Sequence, residues 1–434
     1  TNYVEDGVTK QGTLTTNNSG ALDLGSKNNK LGIVNINNTS ENTEDIIKLG
    51  NSGSKDLEVI IKNDSATDKK VAGSVEVYNY DTDLEQNYNN IYVNQIYAQG
   101  DLSITNEESY DEDTTKHFGI YIGKIPEYHA ATDYKEYPGV IDVDGQIDLT
   151  AKGTVNNEQL GKDKSSDPVA GGSITAGKDI NIKAQVFSNG EGAQIISKSG
   201  SLNAEVTGAD IEKVKFAEVE RKYVASYNRG AIYTDKDINI TTTNEKGSIA
   251  NFGILQAGND NSEGSIKLTS NNDLYLVEPQ TSSTGMDDSN VWASKEIIID
   301  VTNNMLEYGA LWAKGGNVNI TVGKDAIISG DYDPTSYAGN CIYADDSVNI
   351  NVGNNIINQN LIVANKGDIK IQADGSVLNA KHGDKYIIPG KENPLLVKDV
   401  INEALEKLGF KYKLEDKDTS NGIIDARNGR VYIE

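Results

Sequence analysis

The chain has 434 residues, a hydrophobic fraction of 37%, and 40 Lys and Arg against 65 Asp and Glu, for a formal net charge of −25. A field of that sign repels phosphate backbones and acidic headgroups, which argues against nucleic acid and anionic membrane surfaces as partners; its plainest role is solubility. One cysteine, Cys341, excludes an intramolecular disulfide framework, and no run approaches the roughly 18 apolar residues of a membrane-spanning helix.

Gly is frequent at 42, Pro scarce at 7, and Asn, Asp, Ser and Thr abound, a mixture suited to short strands joined by polar turns. Near-absence of Cys suits an exported chain. No basic-then-apolar signal opens the sequence and residue 1 is Thr, so a piece of a longer protein is expected, with any export signal or anchor lying outside it.

In chain order, weakly spelled strands come first: ALDL (21–24), IVNI (33–36), LEVII (57–61) and VEV (75–77). A repeat then takes over, spelled as an apolar residue, any residue, a small residue, a polar turn and an alternating apolar strand. It reads QIYAQGDLSI (95–104), SITAGKDINI (173–182), AIYTDKDINI (231–240), NVWASKEIII (290–299), ALWAKGGNVNI (310–320), CIYADDSVNI (341–350) and LIVANKGDIKI (361–371). A looser copy with a longer turn spans Ile254 to Leu268. Two stretches break the rhythm: a Tyr-rich acidic excursion at 105–143, and 204–228 with the charged run EKVKFAEVERKY, ambiguous between strand and helix.

The last apolar residues of successive copies, Ile240, Leu268, Ile299, Ile320, Ile350 and Ile371, are 28, 31, 21, 30 and 21 residues apart. A propeller blade needs about 40 residues, and a helical repeat would show a 3.6-residue period where these strands alternate by two. The steps therefore describe coils of a β-solenoid, roughly 14 to 16 of them stacked at about 4.8 Å. Ile180 and Ile182 are expected to face inward, Asp179 and Asn181 outward, and Gly177-Lys178-Asp179 to turn a corner. Ala176, Ala293, Ala313 and Ala344 fall where little interior space remains.

The expected fold is all-β, a parallel β-helix over 1–392, with a C-terminal helix-plus-hairpin element at 393–434. Asn393 and Pro394 open an apolar pattern of helical spacing closed by Gly409, and GIIDARNGRVYIE (422–434) reads as a hairpin about Asn428-Gly429. A cap over an open solenoid end is the preferred role; an independent functional module is the rival.

The run GGSITAGKDINIKAQ (171–185), echoed by GDLSI, KDINI and GDIKI, resembles the haemagglutinin-type repeat of filamentous haemagglutinins and related β-helical passengers of type V secretion systems. That resemblance implies a right-handed parallel β-helix displayed on, or secreted from, a Gram-negative cell, commonly an adhesin binding a host or bacterial surface glycan or protein. No secretion-domain signature stands near the start and no membrane barrel at the end.

Signals for chemistry are few. His117, His129 and His382 form no metal-type pair, and no G-x-S-x-G, P-loop or dinucleotide fingerprint occurs. Cys341 reads as a packed, inert thiol. Asp142 and Asp144, Asp345 and Asp346, and Asp331 and Asp333 are close in sequence; an acid–base pair or a calcium ion at such acidic turns is the minor reading, and no cofactor is expected. More informative is the middle position of the first repeat strand, which holds Tyr97, Thr175, Tyr233, Trp292, Trp312, Tyr343 and Val363. Between inward residues it points outward, and stacking aligns it into an aromatic stripe. The stripe reads first as a stacking ladder or a seat for an insertion loop, and second as a binding strip. Tyr110, Tyr121 and Tyr128 of the excursion join Tyr97, Tyr233, Trp292, Trp312 and Tyr343 as candidate contacts, on the ground that loops carry function. The functional expectation is a non-enzymatic adhesive segment, with a carbohydrate-active enzyme or a passive stalk as alternatives.

Overall fold

The computed structural model describes residues 3–5, 8–10, 13–52, 56–80, 90–107, 119–123, 139–157, 171–208, 213–216, 219–222, 224–277, 291–330, 332–333, 338–339, 341–379, 385–386, 395–396, 399, 402–403, 406 and 422–434. The fold is a right-handed parallel β-helix. The chain forms two compact units, Thr1–Thr207 with Gly230–Ile232, and Gly208–Arg229 with Tyr233–Glu434.

Period-two alternation decides which residues each unit buries. In the first unit, Ile47, Val75, Leu102, Ile147, Ile180 and Leu202 stand on successive rungs of one face, beside a column of Leu49, Val77, Ile104, Leu149, Ile182 and Ala204. None of these side chains is more than 3% exposed. Ile238, Ile266, Ile297, Val318, Val348 and Ile369 form the matching column of the second unit, beside Ile240, Leu268, Ile299, Ile320, Ile350 and Ile371. Each buried aliphatic side chain contributes about 1.5–3 kcal/mol, and none could be buried by a single coil alone.

The first unit changes cross-section as it grows. Its early coils pair two strands each, Thr13–Asn18 with Ile33–Asn38 and Leu57–Lys62 on one side, Leu22–Leu24 with Ile46–Asn51 and Ser74–Asn79 on the other. The eight-residue strand Ile91–Ala98 then splits that long face. Ile91–Val93 pairs with Ile120–Ile122, Gln95–Ala98 pairs with Val140–Val143, and the register against Leu57–Lys62 shifts between Val59 and Ile60. Asn94, buried between the two halves, is the hinge of the split, and from there each coil has three strands.

Corners are closed by side chains reaching to the next coil. Asp101, Asp179 and Asp237 each accept, through Oδ1, a backbone N–H one coil on, from Gln146, Ser201 and Ser265 at 2.8 Å. Asn317 Oδ1, Ser347 Oγ and Asp368 Oδ1 accept in the same way from the backbone N–H of Ser347, Asp368 and Arg430. A second corner carries the series Asp273, Asn304, Asp325 and Asn355. Gly177 is required by close approach: a Cβ there would lie 2.0 Å from the carbonyl oxygen of Asp144.

Several expectations are corrected. GIIDARNGRVYIE is not a hairpin: Ile423–Ala426 runs parallel to Leu361–Ala364, and Val431–Ile433 parallel to Ile369–Ile371, so the stretch is one more coil. Its Ile424-Asp425-Ala426 repeats the apolar-any-small spelling, and Asn428 caps the corner by donating to the Asn365 carbonyl at 2.7 Å. The expected helix start at Asn393 and Pro394 lies outside the described residues; Leu395–Leu396, directly after it, is a strand antiparallel to Lys385–Tyr386, and helical residues are found at Asp399, Asn402–Glu403 and Glu406. The stretch 105–143 is not one excursion, since it contains the rungs Gly119–Ile122 and Val140–Val143. Likewise Leu202–Val206 and Val224–Asn228 are coil strands, and within the charged run between them Lys213–Phe216 pairs antiparallel with Val219–Lys222.

Candidate binding strip

The repeat strands Val291–Ala293, Leu311–Ala313 and Cys341–Ala344 bury Val291, Ala293, Leu311, Ala313, Ile342 and Ala344. Their middle residues must therefore face outward, and in-register pairing puts Gln256, Trp292, Trp312, Tyr343, Val363 and Asp425 on consecutive rungs. Trp292, Trp312 and Tyr343 are half-buried. The rings of Trp312 and Tyr343 lie 4.7 Å apart at 36°, a tilted stack, so the ladder reading of this position is realised between those two rungs.

The row is bounded at both ends. Before Trp292, the turn from Gly258 to Gly264 is folded back on itself, with Gly258 at φ 75° and an antiparallel bridge from Asn259 to Ser262. Ser294, just past Trp292, fastens this turn: its Oγ donates to the Ser262 carbonyl and accepts the Gly264 N–H, both at 2.8 Å. From the turn, Asp260 reaches across two coils to pair with Lys314, and Glu263 pairs with Lys295 at 3.5 Å. Past Tyr343, Val363 is buried, with Cys341 and Leu361, in an apolar cluster on the outer side of the strands that also holds Tyr343 and Ile423. The seventh residue of the expected stripe is thus covered, while Trp292, Trp312 and Tyr343 are half-buried.

Charges beside the row are compensated. Asp345 accepts from Lys366 at 2.6 Å and from Asn365 at 2.9 Å, which holds its carboxyl below the ordinary value. Burial, with Asp345 nearby, raises the Tyr343 phenol. Arg427 pairs with Asp425 at 3.7 Å. Burial pushes the Cys341 thiol up to about 12, so it is a packed thiol and not a thiolate.

The other expected contacts are dispersed. Tyr97 shares its column with Asp142, Thr175 and Ile196 and so has no aromatic partner on those rungs. Tyr233 is half-buried on its own strand. Tyr121 is not a loop residue: it stacks on Tyr92 at 5.2 Å and 21°, on paired strands. Tyr110 and Tyr128 lie outside the described residues, as do His117, His129, His382 and Asp331. Asp142 and Asp144 share one cation, the Lys70 ammonium, at 3.0 and 2.5 Å. Burial works against the charge on Lys70, but the hydrogen bonds it donates to Asp144 and Asp142 outweigh it and raise its pKa. Among the described residues no group of three or more His, Cys, Asp or Glu is placed to hold a metal ion, and no helix is long and apolar enough to cross a membrane.

Two features of the structure carry little signal in the sequence. The turn 258–264 was visible only as a longer gap in a loose repeat. Glu307, fully buried, accepts the Gly309 N–H at 2.9 Å and the Asn360 amide at 3.4 Å, in a column with Leu276 and Ile328; burial raises its carboxyl well above the ordinary value. Its only signal is a charged residue at a position otherwise apolar or Asn. No protein-family model, curated protein or solved structure matches the chain.

Proposed function

We propose that the chain is a non-enzymatic adhesive segment, displayed on or secreted from a bacterial cell, that binds a surface glycan or protein through the row Trp292, Trp312 and Tyr343. The observation that carries this reading is the row itself: both tryptophans of the chain on adjacent rungs, half-buried, between a fastened turn and a covered cluster. Aromatic side chains held at such positions offer contact area at little entropic cost. The resemblance of the repeat to filamentous haemagglutinins points the same way. The test is adhesion of the purified chain to cells, with Trp292→Ala/Trp312→Ala as comparison; equal adhesion by a folded variant removes the row from the function. A passive stalk is the second reading, favoured by the stacking of Trp312 on Tyr343, which serves stability without any ligand. On that reading neither protein adheres.

A further inference from the structure

We propose that the ligand of the row is an uncharged glycan chain laid across the rungs Trp292, Trp312 and Tyr343, a refinement that rests on the binding reading above. The first argument is width. The row offers one half-buried aromatic side chain on each of three rungs, whereas a stable protein interface covers about 800 Å² on each partner. Among the described residues, the exposed large hydrophobic side chains are Val431, Tyr432 and Ile433, none of them in the row. A single file of rings fits a linear chain whose sugars present apolar faces and polar rims.

The second argument is charge. Among the described residues, the cations beside the row already face carboxylates: Lys295 with Glu263, Lys314 with Asp260, Lys366 with Asp345, Arg427 with Asp425. A sulfated or sialylated chain would have to displace those carboxylates and approach a molecule of net charge −25. A neutral chain meets the same groups as hydrogen-bond donors and acceptors, with Gln256 on the rung before Trp292 adding an amide.

The experiment is an oligosaccharide array with neutral, sialylated and sulfated arms, followed by calorimetry of the best ligand at about 0.05 and 0.5 M NaCl. Binding is expected in the neutral arm, changing less than about twofold with salt and falling about tenfold or more in Trp312→Ala. Trp312→Tyr, which keeps a ring at the rung, serves where the alanine variant unfolds, and should retain part of the affinity. Asp260→Asn leaves Lys314 without its carboxylate and should add binding in the sulfated arm. Trp-dependent binding confined to the charged arms, or to a protein, overturns this inference and leaves the row as the binding surface. Neutral binding indifferent to Trp292 and Trp312 overturns the row itself. Silence in every arm, or in the sulfated arm for Asp260→Asn, also counts against the inference.

Discussion

Asp179 Oδ1 accepts the backbone N–H of Ser201, 22 residues on and one coil away, at 2.8 Å. The aspartate that the repeat spells before its apolar strand is therefore a fastening between coils rather than a surface charge, and several of the 65 acidic residues serve in this way.

Removing that fastening leaves a corner N–H without its partner. Asp179→Ala is expected to destabilise the first unit by about 1–2 kcal/mol, whereas Asp179→Asn keeps the acceptor, as Asn317 and Asn355 do at their corners, and should lose much less. Urea denaturation of the two variants checks the ordering; equal losses would mean the charge, and not the hydrogen bond, matters.

Glu307 makes stability depend on pH in a defined direction. Its carboxyl holds its proton in the folded state at pH values where the unfolded chain, at the ordinary value of 4.5, has lost it. Its contribution is therefore complete below about 4.5 and is lost as pH rises from there toward the raised folded value, by at most about 1.4 kcal/mol per pH unit. Glu307→Gln should flatten that decline and be the more stable protein at pH 7. Denaturation midpoints of both proteins between pH 4 and 8 measure it; parallel curves would show that Glu307 is not the group.

Cys341, with its thiol pushed up to about 12 by burial, should resist alkylation at pH 8 in the folded protein and react at once in denaturant. Mass spectrometry after a timed iodoacetamide pulse reads this directly. Fast labelling of the native chain would show that the outer cluster opens.

Trp292 and Val363 occupy the same place in the repeat but different surroundings, since Val363 is buried and Trp292 is not. Val363→Asp should cost several kcal/mol by burying an unpaired carboxylate, while Trp292→Ala should cost about 1 kcal/mol. Thermal melts separate the two; similar losses would mean the row is covered along its whole length.

Much of this was legible before any coordinates. Ile180 and Ile182 alternate with Asp179 and Asn181, Ala176 precedes the corner, and the 21 to 31 residue steps allow only short stacked strands. Where sequence and structure differ, the local signal competes with pairing across coils. Asn428-Gly429 between two apolar runs is a strong hairpin signal, but each run found its partner in the preceding coil, where parallel pairing also covers its apolar side. The apolar pattern after Asn393-Pro394 has helical spacing, yet its Leu395–Leu396 pairs as a strand with Lys385–Tyr386.

The sequence by itself determined the period of the coils and which side chains turn inward, because strand alternation and corner residues are properties of adjacent residues. Only the tertiary structure decided what lies beside what across coils: that Lys70 serves Asp142 and Asp144, that Asp260 reaches Lys314, and that Val363 is covered where Trp292 is open. Those outcomes depend on how turns of unequal length lean over neighbouring rungs, and spacing along the chain carries no record of that.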